Sequence, residues 1–199
     1  MGLDMHLCRG KKIPKKSFEE TMKINDLIEN YDNEDLIKTY KKYIFECGVY
    51  SHWQSLIKEV VYWRKANQIH NWFVSNVQGG VDDCGEYEVS KEQIEELRDL
   101  CIEVLYLAKL EPAEVTNGYS ITKGENGEII KTPNLENGIV ITNGEEISEL
   151  LPTSSGFFFG STDYDQWYLE DIKHTIAELN KVLKETDFEK EYLVYRSSW

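Results

Sequence analysis

Between Trp53 and Phe73 the chain carries two apolar stripes at helical spacing, and a helix that is apolar on two sides has to be buried between layers. At about 100° per residue, Trp53, Leu56, Ile57 and Val60 form one stripe, and Tyr62, Ala66, Ile69 and Phe73 form the other. Arg64 and Asn67 fall on the first stripe, with His70 at its edge beside Trp63. Polar groups in such a place are costly unless they are paired or face a cavity. The pattern predicts a long central helix, opened by the Ser51-x-x-Gln54 cap, ending before Gly79-Gly80 and most buried over Tyr62–Phe73.

Around that helix the spacing predicts an α+β fold, with about five helices packed on a small antiparallel sheet. Leu3, Met5 and Leu7 alternate with Asp4, His6 and Cys8, the pattern of a half-buried strand. Ser17-x-x-Glu20 is a capping box for a helix to about Asn30, and Asn33 caps a second helix running to Gly48. After the polar loop VDDCGEYEV, Ser90-x-x-Gln93 opens a helix that ends before Pro112. Ser161, Thr162 and Asp163 are candidate caps for a last helix to about Glu185. The closing run EYLVYRSSW reads as a strand able to pair with the first. Asn-Gly occurs at 117–118, 126–127, 137–138 and 143–144, between short β-prone runs. This predicts hairpins with tight turns over 113–144, an excursion from a single domain spanning 1–199, and one removable from 116 to 143. Glu145–Leu151 reads as a short helical turn.

The chain has 199 residues, 41% of them hydrophobic, which suits one globular domain with a real core. Its formal charge is −14 and unevenly placed. Residues 1–65 carry 12 Lys+Arg against 10 Asp+Glu, whereas residues 66–199 carry 10 against 26. An acidic two-thirds argues against direct nucleic-acid binding, which needs a basic footprint. It suits solubility or docking onto a basic surface. No run approaches the ~18–20 apolar residues of a membrane span. MGLDMHLCRGKK lacks the apolar core of a signal peptide. Four cysteines without a CxxC pair fit reduced thiols in a cytoplasm.

Three clusters carry chemistry. Arg64 offers a planar cation for phosphate or carboxylate, with Asn67 and His70 one turn apart to share a ligand. The structural alternative pairs Arg64 with a carboxylate from another helix and His70 with a backbone carbonyl. Gly156–Asp165 places Ser161 and Thr162 at a helix start, where free N–H groups and the dipole suit an anion. The alternative is ordinary capping, with Asp163 and Asp165 filling the positive end. Asp82, Asp83, Cys84 and Glu86 suit a divalent cation or, more simply, water. The candidate ligand-binding residues are Arg64, Asn67, His70, Phe158, Ser161, Thr162 and Trp167; Arg64 and the Ser161–Thr162 turn are expected to face one cavity, with an aromatic from Phe157–Phe159 or Trp167 as a wall for a nucleobase. No catalytic residue, metal ligand or cofactor is assigned. The chain holds no P-loop, Ser-His-Asp order or HExxH spacing.

The strings MGLDMHL, YWRKANQIHNWFVSNVQGGVDDCGEYEVS and LLPTSSGFFFGSTDYDQWYLEDI resemble a family of small, mostly unannotated proteins encoded by bacteriophages and prophages. The resemblance covers about half the chain and leaves Lys11–Gly48 and Pro112–Glu145 outside it. It implies a phage-type protein acting in the bacterial host cytoplasm. On that basis the expected function is a non-enzymatic accessory protein that neutralises a host defence component. It would block a host protein or sequester a small anionic, nucleotide-like ligand. An enzyme on a nucleotide or phosphate ester and a virion or assembly component are the alternatives.

Overall fold

The computed structural model describes residues 2–31, 33–46, 54–124, 126–156 and 158–199. The fold is α+β, with six helices among the described residues. Its centre is a four-stranded antiparallel sheet in the order β4-β1-β8-β5, formed by Asp4–Lys11 (β1), Ile57–Arg64 (β4), Tyr87–Val89 (β5) and Glu191–Ser198 (β8). A small pair, Phe45–Glu46 (β2) with Gln54–Ser55 (β3), lies apart from it. The first and last strands are neighbours over their whole length, from Asp4↔Ser198 to Lys11↔Glu191.

Alternation decides what each face of the sheet buries. Met5 and Leu7, Val61 and Trp63, and Leu193 and Tyr195 point to one side. There they pack on the helices Asn67–Asn76 (α3), Lys91–Leu107 (α4) and Gln166–Glu185 (α6). Cys8, Ile57, Tyr192 and Val194 point to the other side, under Phe18 and Met22 of the helix Phe18–Tyr31 (α1). Gly10 leaves room for the Tyr192 ring, whose Cζ would lie 2.3 Å from a Cβ at that position. Burial raises the Cys8 and Cys101 thiols to about 12, so both are inert.

The long central helix is not formed. Ile57–Arg64 is a strand, Lys65 turns the chain at φ +61°, and only Asn67–Asn76 is helical. The strand alternates correctly at its end, with Val61 and Trp63 buried and Tyr62 and Arg64 exposed. A bulge opposite Leu7/Cys8 adds Val60 to β4 and breaks the two-residue period there. That break leaves a pattern that mimics a helix. Ser51 and Trp53, which were to open the helix, lie outside the described residues. The second helix ends at Tyr40 (α2, Glu34–Tyr40) rather than Gly48, and residues 41–46 turn into β2. Asn33 caps it as expected, through its side chain to Leu36 N–H. Both Ser17–Glu20 and Ser90–Gln93 form reciprocal capping boxes.

Residues 110–141 form one long ribbon rather than several hairpins: Leu110–Lys123 (β6) against Ile129–Ile141 (β7). Each Asn-Gly pair does something different. Asn126-Gly127 lies in the turn, which Gly124 N–H closes onto Glu128 O at 2.8 Å. Asn117-Gly118 makes the bulge between Thr116 and Tyr119, with Gly118 at φ +77°. Gly138 sits mid-strand where a Cβ would meet Val115 and Gln166 at 2.5 Å. Asn143 accepts from Lys109 N–H and donates to Leu107 O, which ties α4 to the helix Gly144–Leu150 (α5). The ribbon's base is core: Val115 and Ile141 are buried, and Ile141 N–H donates to Tyr164 O. Removing 118–134 and joining Asn117 to Leu135 through an Asn-Gly turn should therefore change stability by no more than about 1 kcal/mol. Removing 116–143, which takes Ile141, should cost about 2–5 kcal/mol. Urea melts of both deletions check this.

Candidate functional site

A cleft of about 700 Å³ opens between the start of α6, the ribbon's base and the β4–α3 turn. Four of the seven expected ligand residues line it: Arg64, Phe158, Ser161 and Trp167. The chain reaches this arrangement through Asn67, which is buried and makes three hydrogen bonds. Its Nδ2 donates to Phe159 O at 3.0 Å and Ser161 O at 2.7 Å, and its Oδ1 accepts from Ser154 N–H at 2.9 Å. With all three groups satisfied inside the protein, Asn67 holds the 154–161 segment in place and leaves ligand contact to others. Thr162 is exposed and lies outside the lining, with its carbonyl accepting from the Thr153 hydroxyl.

His70 is also outside the cleft. It is sealed in the core between Tyr195 and Asp82, with Nδ1 2.7 Å from the Tyr195 hydroxyl and Nε2 3.0 Å from Asp82 Oδ2. A carboxylate only accepts, so Nε2 carries the hydrogen and donates. In the neutral ring Nδ1 then accepts from Tyr195 O–H. Phe159 meets the imidazole edge-on at 5.2 Å, and Phe73 stacks on Tyr195 at 3.9 Å. Asp82 also accepts from the indole of Trp199 at 3.1 Å, which ties the last residue to the loop after α3. Among the described residues no group of three His, Cys, Asp or Glu side chains is placed to hold a metal ion.

The cleft's charge differs from the sequence expectation. Arg64 and Lys65 line the cleft together with Asp163, Asp165, Glu170 and Asp171. The anion features are already engaged. Asp165, buried at the α6 N-terminus, accepts from Trp167 and Tyr168 N–H and fills the positive end of the helix. The Ser161 hydroxyl donates to Asp163 Oδ2 at 2.8 Å and accepts from Asp163 N–H. Arg64 is not the buried cation that a central helix required. Its side chain is 62% exposed, and its Nε lies 3.9 Å from Asp4, which also accepts from the Tyr62 hydroxyl. Arg64→Met should therefore change the unfolding free energy by less than about 0.5 kcal/mol, read from a denaturant midpoint.

The residues missed from sequence are Gln68, Glu170 and Asp171. Trp167, Glu170, Asp171 and His174 recur at helical spacing along α6, and that polar stripe was the available signal. Asp171 accepts from Gln68 Nε2 at 3.1 Å, and burial raises its carboxyl from 3.8 to about 6. A raised carboxyl favours folding while protonated. That contribution is fully present below about pH 3.8 and is lost as pH rises through about 6. Asp171→Asn keeps an acceptor for Gln68 without the charge. It should stabilise the protein at pH 7 by on the order of 1–3 kcal/mol and have little effect at pH 3.5, measured by thermal melts at the two pH values.

No family model matches the chain, and neither a curated protein nor a solved structure matches it. No helix among the described residues is long and apolar enough to cross a membrane.

Proposed function

We propose that this chain is a non-enzymatic, phage-type accessory protein that neutralises a component of a bacterial host, and that it does so by blocking a protein with a basic surface. The supporting observation is the cleft's composition. Asp163, Glu170 and Asp171, the carboxylates not taken up in capping α6, stand against two cations beside the exposed ring of Trp167 and suit a Lys or Arg side chain better than a phosphate. The net charge of −14 extends the same preference over the rest of the surface and would speed encounter with a basic partner. Sequestration of an anionic nucleotide has the exposed Arg64 and neighbouring Lys65 in its favour. The filled helix end and the engaged Ser161 hydroxyl weigh against it. Protonation of Asp171 removes one carboxylate, so partner affinity should fall as pH drops below about 6.

The test is capture from a bacterial lysate with the tagged parent and with D163K/E170K, followed by mass spectrometry of proteins and small molecules. One basic protein should be retained by the parent at low salt and lost from the variant. Retention indifferent to the charge reversal, turnover of a nucleotide, or a nucleotide-like compound released on denaturation would count against it.

A further inference from the structure

Beyond its bulge the ribbon pairs only with itself among the described residues. Directly paired residues share a face and neighbours along a strand alternate. Tyr119, Ile121, Lys123, Ile129 and Lys131 therefore stand on one face of the tip. Tyr119, Ile121 and Ile129 are exposed. A lone two-stranded ribbon is marginal in water, and an apolar face flanked by open strand edges calls for a cover. This face is apolar and basic, on a chain whose net charge is −14.

The cleft at the ribbon's base has the complementary character, with Asp163, Glu170 and Asp171 beside the exposed Trp167. Tyr119 belongs to both surfaces, so they adjoin on one molecule. Two complementary surfaces side by side on one chain can satisfy each other reciprocally about a twofold axis. From Tyr119 to Lys123 the strand spans about 13 Å at ~3.3 Å per residue, enough to reach across a neighbouring cleft. We propose that the occupant of the cleft in the free protein is a second copy of this chain. The two copies exchange ribbon tips, Lys123 and Lys131 of each lying against the carboxylates of the other, and Ile121 and Ile129 against its Trp167. The proposal rests on the reading of the cleft as a seat for basic side chains, and it makes the host partner a competitor of self-association.

Sedimentation velocity of the full chain tests it without any host protein. The parent should be a dimer at low ionic strength that dissociates as salt is raised. K123E/K131E and D163K/E170K should each be monomeric, and mixing them should restore a dimer, because both interfaces of the mixed pair are again oppositely charged. A monomeric parent at low salt, a dimer that survives either variant, or variants that stay monomeric when mixed would overturn it. K123E/K131E leaves the cleft intact, so capture of a host protein by that variant separates failure of ribbon exchange from failure of the cleft reading.

Discussion

Asn67→Ala should lower the unfolding free energy by about 3–5 kcal/mol. The side chain is buried, and its loss leaves the carbonyls of Phe159 and Ser161 and the N–H of Ser154 without their partner. The Phe159 carbonyl is abandoned in a buried place at about 1–3 kcal/mol, and the half-buried groups of Ser161 and Ser154 add less because water can enter. The damage should also be local. Hydrogen exchange of residues 154–163 should accelerate more than that of β1 or β8, since Asn67 ties this segment to α3. Asn67→Asp tests the mechanism further. It keeps the acceptor for Ser154 but loses both donated bonds, so it should recover little. A loss below about 1 kcal/mol for Asn67→Ala would show that the loop is held by other contacts.

The second large effect concerns His70. His70→Leu should cost about 2–4 kcal/mol, because the fully buried Tyr195 hydroxyl loses its acceptor and Asp82 loses a donor. Part of that loss is recoverable. Tyr195→Phe keeps the stack on Phe73 and removes the stranded hydroxyl. The double variant should therefore be more stable than the sum of the two single losses, with a coupling of about 1–3 kcal/mol by urea melts. Additive losses would mean that the two groups do not act as a pair.

These two residues show what could be read from the sequence. The first strand was legible because Leu3, Met5 and Leu7 alternate with Asp4, His6 and Cys8, the last because Tyr192–Tyr195 is a short β-prone run buried on both faces, and two helix starts because their caps are reciprocal. The strand before α3 was not, for two local reasons. The Val60 bulge breaks its period, and the left-handed turn falls on Lys65, a residue type that gives no turn signal. Misreading that strand as helix placed Arg64 in the core, whereas it stands exposed at the edge of a cleft. The expectation that Arg64 and the Ser161–Thr162 turn face one cavity beside an aromatic rested on residue chemistry; Arg64, Ser161, Phe158 and Trp167 line one cleft, Thr162 does not, and Phe157 lies outside the described residues. The sign of the cleft's charge depends on Glu170 and Asp171, whose position follows from how α6 is rotated against the sheet. Asn67 and His70 drew notice as polar residues within an apolar run. Their partners lie far along the chain, at Phe159, Ser161 and Tyr195, and no local pattern joins them.

Whether the cleft takes a cation from a partner, as proposed, or a phosphate can be read in solution. The measurement is titration calorimetry of the full chain with a short Lys- and Arg-rich peptide, and separately with ATP. Heat of binding is expected with the peptide at low salt, weaker below about pH 6 and absent in D163K/E170K. ATP should give none. Saturable ATP binding that Arg64→Met abolishes, with no response to the peptide, would contradict the proposal.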